Sequence, residues 1–180
     1  HEFSVPGQPS AVSYKEFPAK ASGNDIFSPT PSVNDWYDTV KLNYDCHDTW
    51  EKMLSILKFW CAKQVDGFRV DMAEMVPVGF WQWALAELRK DYQPLTIAEI
   101  YQPALYELFL EAGFDYLYDK VGLYNTLENV LCHGNEAKEI TQVWKDLHDL
   151  DSHMLRFMEN HDEKRLASPH FVGDAFAALP

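Results

Sequence analysis

Gly67-Phe68-Arg69-Val70-Asp71 decides how this chain is read. Gly67 ends a helical pattern, and the residues after it alternate in character. Side chains along a strand point to opposite faces in turn, so Arg69 and Asp71 share one face and Phe68 and Val70 the other. The stretch is therefore a short strand that closes on an acid. Two further stretches repeat the form. Leu95-Thr96-Ile97-Ala98-Glu99-Ile100 carries Glu99 near its end, and Met154-Leu155-Arg156-Phe157-Met158 leads into Glu159-Asn160-His161-Asp162.

Helical patterns lie between these strands. Met53, Leu54, Leu57, Trp60 and Cys61 recur at helical spacing, with Asp48 placed to cap the start. A second helix covers roughly Val78–Lys90 before Pro94. A third begins near Pro103 and ends at Gly113. Phe114–Tyr118 reads as a strand, followed by helices around Tyr124–Leu131 and Ala137–His148. Strands alternating with helices at this spacing predict the α/β class, with a parallel sheet and crossover helices. Four strands make about half of a (β/α)8 TIM barrel, which has eight. An open sheet fits the same alternation. Parallel strands deliver their terminal side chains to a common rim, where barrel enzymes keep their chemistry.

Residues 1–45 differ. Pro6, Pro9, Pro18, Pro29 and Pro31 interrupt a stretch with little periodicity, which predicts an irregular segment. The expected division is an irregular 1–45 and a partial barrel over 46–180. Hydrophobic residues make up 47% of the 180, enough for a core. No apolar run approaches the roughly 18 residues of a membrane span, and the N-terminus shows no targeting pattern. The net charge of −13, without a basic cluster, disfavours nucleic acid. Cys46, Cys61 and Cys132 are odd in number, match no metal or redox spacing, and are expected to be free thiols.

Carboxylates gathered at one rim suit glycosidic cleavage, which needs an acid and a nucleophile or base. An attacking Asp71 must stay ionised, and Arg69 beside it favours that form. Glu99 sits among isoleucines, surroundings that would raise its pKa and suit a proton donor. Asp162 could accept from sugar hydroxyls, and His161 could donate to the same ring. Tyr101, just past Glu99, is the best placed aromatic for stacking on a sugar. Each motif alone also has a plain reading: a strand-end ion pair, a helix cap, a loop turn. Glu99 stands 28 residues after Asp71 and Asp162 63 residues after Glu99, spacings that fit one and then two strand–helix units.

Together the three motifs resemble signature regions of the α-amylase family, glycoside hydrolase family 13, and among its members the chain resembles bacterial α-amylases of the Bacteroides type. The similarity spans at least residues 65–165 and extends plausibly to 36–45. Lys41-Leu42-Asn43-Tyr44 resembles the return from the family's inserted domain B. The resemblance implies that Asp71 is the nucleophile, Glu99 the general acid and base, and Asp162 the stabiliser of the oxocarbenium-like transition state. It implies that Arg69 orients Asp71 and that His161 binds the sugar. It also implies retention of configuration, with the Asp71 and Glu99 carboxyls about 5–5.5 Å apart. The implied substrate is an α-1,4-glucan or oligosaccharide. No cofactor is read directly, although the resemblance allows calcium in a full-length member.

Departures bear on this reading. The family's third-strand signature, an Asp followed by Asn-His, is absent upstream of residue 65, and the calcium ligand normally comes with it. Glu74 and Met75 stand where many α-amylases carry Lys-His. An α-glucosidase or transglycosidase on short α-glucosides, and a non-catalytic glucan-binding relative, therefore stay open. Four strands alone would leave sheet edges uncovered, so the 180 residues by themselves are expected to be poorly stable and inactive.

Overall fold

A computed structural model describes residues 42–173 of the chain. Most of the segment expected to be irregular, residues 1–41, lies outside the described residues, as do residues 174–180. The element order is α1 (His47–Cys61), β1 (Gly67–Val70), α2 (Val78–Leu88), β2 (Leu95–Ala98), α3 (Tyr106–Glu111), β3 (Tyr116–Tyr118), α4 (Asn125–His133), α5 (Lys138–Leu147) and β4 (Met154–Leu155). The strands form a four-stranded sheet in the order β1-β2-β3-β4. β2 pairs in parallel with β3, and β3 with β4. β1 and β2 advance together, with Leu95 N–H on Asp66 C=O and Glu99 N–H on Val70 C=O. Sequential parallel strands separated by helices are the repeat of a TIM-barrel wall.

Two compact units divide the described residues. One takes the residues up to Phe68 together with Ala73–Leu95, and the other takes Arg69–Met72 and the residues from Thr96 on. In the first unit, Leu54, Cys61 and Leu88 form a buried core, with Leu57, Phe68, Trp83 and Tyr92 packed against it. Phe68 thus occupies the apolar face that period two assigns to it. The Asp48 side chain does not cap α1. A turn at Asn43 organises the entry instead, its side chain accepting from Asp45 N–H at 3.0 Å and its carbonyl from Thr49 Oγ1 at 2.9 Å. Tyr44, Trp50, Phe80 and Trp83 make a ring cluster, and burial pushes the Tyr44 phenol up to about 12.

Gly67 is needed for close approach. A Cβ there would lie 2.2 Å from the backbone oxygen of Leu95. Gly67→Ala in the full-length protein should therefore cost about 1–3 kcal/mol, the usual scale for forcing extra volume into a packed site. A thermal melt reads the loss; an unchanged midpoint would mean the two strands have room to part.

The second unit carries the rest of the sheet. Ile97 pairs with Tyr116 and Ala98 with Leu117, while Leu117 and Tyr118 pair with Met154 and Leu155. These ladders are short, and side chains reinforce them. The buried Thr96 hydroxyl donates to Asp115 Oδ2 at 2.8 Å, and the Thr96 N–H donates to the same oxygen at 2.8 Å. Gly113 ends the turn after α3 at φ 111°, a left-handed conformation that glycine adopts without a Cβ penalty. Ala98, Ile100, Tyr106, Phe109, Phe114, Leu117 and Tyr124 are buried here. β4 is shorter than its apolar run predicts. After Leu155 the chain turns so that Phe157 packs on Tyr118 and Tyr124, at ring separations of 5.1 and 5.4 Å. Cys46, Cys61 and Cys132 are free thiols.

Candidate active site

Asp71 and Glu99 are the first residues past β1 and β2, and Asp162 lies in the loop after β4. All three belong to the second unit. Arg69, on β1, is their common partner. Its Nη1 donates to Asp71 Oδ1. Its Nη2 sits 2.7 Å from Glu99 Oε1, a charge contact without hydrogen-bond alignment, and 3.9 Å from Asp162 Oδ2. Nε donates to the Tyr118 hydroxyl at 3.3 Å, and the guanidinium lies 5.1 Å from the centre of that ring. Burial opposes the Arg69 charge. Hydrogen bonds to Asp71 and Tyr118 and the nearby Glu99 carboxylate outweigh it and hold the guanidinium's pKa above its ordinary value.

The three acids differ sharply in exposure. The Glu99 side chain is 2% exposed, against 76% for Asp71 and 52% for Asp162. Ala98 and Ile100 beside Glu99 are buried as well. The carboxylate itself, however, is met by donors rather than by apolar groups alone. Met72 N–H donates to Oε2 at 2.8 Å, and the Tyr101 hydroxyl donates to Oε1 at 2.9 Å. Met72 holds φ 40°, a left-handed conformation uncommon outside glycine and often found where function needs it. Tyr101 is the adaptable partner in this set. A hydroxyl both donates and accepts, so it can serve either form of the Glu99 carboxyl, whereas Met72 N–H and Arg69 only donate. Burial first, then the hydrogen bond to Glu99, raises the Tyr101 phenol and keeps it protonated.

The residues singled out in the sequence therefore fall into a core and a margin. Arg69, Asp71, Glu99, Asp162 and Tyr101 are linked through Arg69 or Glu99. Tyr101's hydroxyl is committed to Glu99. His161 is exposed and reaches the site only through Asp162, with Nε2 3.2 Å from Oδ2. Sequence reasoning missed Tyr118, Lys120 and Glu163. Tyr118 ends β3, the same rim position that flags Asp71 and Glu99, and that position was the available signal. Among the described residues no group of three or more His, Cys, Asp or Glu is placed to hold a metal ion, so none of them is assigned to calcium. Among those residues, too, no helix is long and apolar enough to cross a membrane.

No family model matches the chain. It is 33% identical over 86 residues to an α-1,4-glucan:maltose-1-phosphate maltosyltransferase of Methylacidiphilum infernorum, which covers 45% of this chain and 13% of that protein. Among solved structures, a noncanonic maltogenic α-amylase of Thermotoga neapolitana superposes with a TM-score of 0.57 at 29% identity, over 71% of this chain and 30% of that one. A cyclic α-maltosyl-(1→6)-maltose hydrolase of Arthrobacter globiformis matches with a TM-score of 0.69 over 89% of this chain and 38% of that one; at 20% identity it speaks for the fold alone. The chain thus spans well under half the length of these proteins.

Proposed function

Because this chain belongs to the α-amylase family, we propose that it carries the catalytic carboxylates of a retaining glycosidase that cleaves α-1,4-glucans. One observation carries the reading. A single guanidinium binds the Asp71 and Glu99 carboxylates closely and lies within ion-pair range of the third acid, 3.9 Å from Asp162. Asp71, more open than Glu99, attacks the anomeric carbon. Glu99 gives its proton to the departing glycosidic oxygen, and a glycosyl ester forms on Asp71. Water then surrenders a proton to Glu99 and attacks the same carbon, which releases the sugar with its configuration retained. Asp162 faces the positive charge that develops on the ring. Arg69 keeps Asp71 and Glu99 in register, and His161 donates to the sugar from the margin.

A second reading differs only in the acceptor. The relatives matched in sequence are named as maltosyltransferases, and a sugar hydroxyl in place of water would turn the second step into transfer. The full-length protein separates the two. Incubation with a maltooligosaccharide should release new reducing ends of retained configuration, visible by NMR of the first products. Products that lengthen only when maltose 1-phosphate is supplied would favour transfer. Glucan binding without turnover of either kind would leave a non-catalytic binder and overturn the proposal.

A further inference from the structure

We infer that Lys120 and Glu163 form a clamp that positions Asp162. The inference rests on the proposed role of Asp162 at the transition state. Asp162 is weakly held by its own side chain. Its carboxylate lies 3.9 Å from Arg69 and otherwise meets only the exposed His161 among the ion pairs described here. Its position therefore depends on its loop. Two features shape that loop from within. Asn160 Oδ1 accepts the N–H groups of Asp162 and Glu163 at 2.9 and 3.0 Å, and Glu159 accepts Leu166 N–H at 2.6 Å and pairs with Arg165 at 2.7 Å. Neither feature ties the loop to another part of the fold.

Two ion pairs do. Lys164 pairs with Glu128 at 2.8 Å, but its side chain is half exposed, and solvent-exposed pairs of this kind contribute little. Lys120 pairs with Glu163 at 2.7 Å, and their side chains are only 17% and 18% exposed. Lys120 is itself fixed. Its Nζ donates to Asn125 Oδ1 at 2.9 Å and sits 4.4 Å from the centre of the Tyr124 ring. The pair thus joins the π-helical turn Lys120–Tyr124, which follows β3, to the loop after β4, one residue from Asp162. A shielded pair is costly to break one-sidedly, because the remaining charge loses its partner in a poorly solvated place. Burial first, then Glu99, and after them Glu163 raise the Tyr101 phenol, and burial first, then Glu163, raises that of Tyr124.

Misplacing a catalytic group by about 1 Å can cost on the order of 100-fold in rate. The test is a double-mutant cycle in the full-length enzyme with Lys120→Met, Glu163→Gln and both together, alongside Lys120→Arg. Each single change should lower kcat on a soluble α-1,4-glucan by about 10- to 100-fold with little change in KM. The double variant should lose no more than the worse single, and Lys120→Arg should recover most of the rate. Backbone amides of 159–166 should exchange faster in Lys120→Met whether or not the enzyme turns over. Additive losses, a change confined to KM, or unaltered exchange would overturn the clamp. A wild-type protein inactive on every α-glucan, yet with exchange that still depends on Lys120, would leave the clamp standing and sink the proposed function instead.

Discussion

Asp71→Asn in the full-length protein is expected to reduce α-glucan turnover by a factor on the order of 10⁴ or more, since removing the nucleophile of a covalent mechanism abolishes its first step. The amide keeps the shape of the carboxylate and loses its power to attack. Arg69 still faces Glu99 and Tyr118, so the centre should hold together. Asp71 is largely open to water, and ion pairs in that setting contribute about 0–1 kcal/mol. The melting midpoint should therefore barely move while activity vanishes. Mass spectrometry adds a direct reading: a slow substrate should leave a sugar adduct on the wild type and none on the variant. A loss of less than tenfold would remove Asp71 from the nucleophile's role.

The second large effect is Glu99→Gln, with an expected fall of about 10²–10⁴-fold on natural glucans, the range for losing a general acid. The loss should shrink on an aryl α-glucoside whose leaving group departs without a proton. Equal losses on both substrates would take Glu99 out of proton donation. Stability should respond differently from the Asp71 case. Glu99 is almost fully enclosed and lies 2.7 Å from Arg69. Breaking an enclosed pair from one side costs about 3–5 kcal/mol, and the contact that Arg69 keeps with Asp71 should hold the figure to the low end. The two variants thus separate chemistry from scaffold. One should be stable and inactive, the other weakened and inactive.

Much of the architecture was legible because punctuation and pattern agree. Gly67 opens β1, Pro94 precedes β2, Gly113 precedes β3, and the helices keep their apolar spacing between them. Period two alone placed Arg69 beside Asp71 and turned Phe68 toward the core of the first unit, against which it packs partly buried. What the pattern could not show was decided by distant partners. Phe157 reads as strand, yet Tyr118 and Tyr124 draw it out of the ladder. Asp48 has the composition of a cap, but the turn at Asn43 organises the helix entry first. In the site, Asp71 and Glu99 were legible as strand ends, while Asp162 lies seven residues past β4 in a loop. Tyr118 and the Lys120–Glu163 pair were not legible, because their roles exist only once chain segments far apart are brought face to face. Tyr101 was visible as an aromatic, while the direction of its hydroxyl was not.

The gathering of acids from separate strand ends onto one guanidinium has a temporal consequence during protein synthesis. A growing chain exposes Asp71 and Glu99 long before Asp162 leaves the ribosome. At roughly 5–20 residues per second, the stretch between Glu99 and Asp162 takes on the order of several seconds to emerge. Throughout that interval the nascent polypeptide presents Asp71 and Glu99 without Asp162. On the roles proposed for them, turnover could begin only after translation has passed the last of the three motifs.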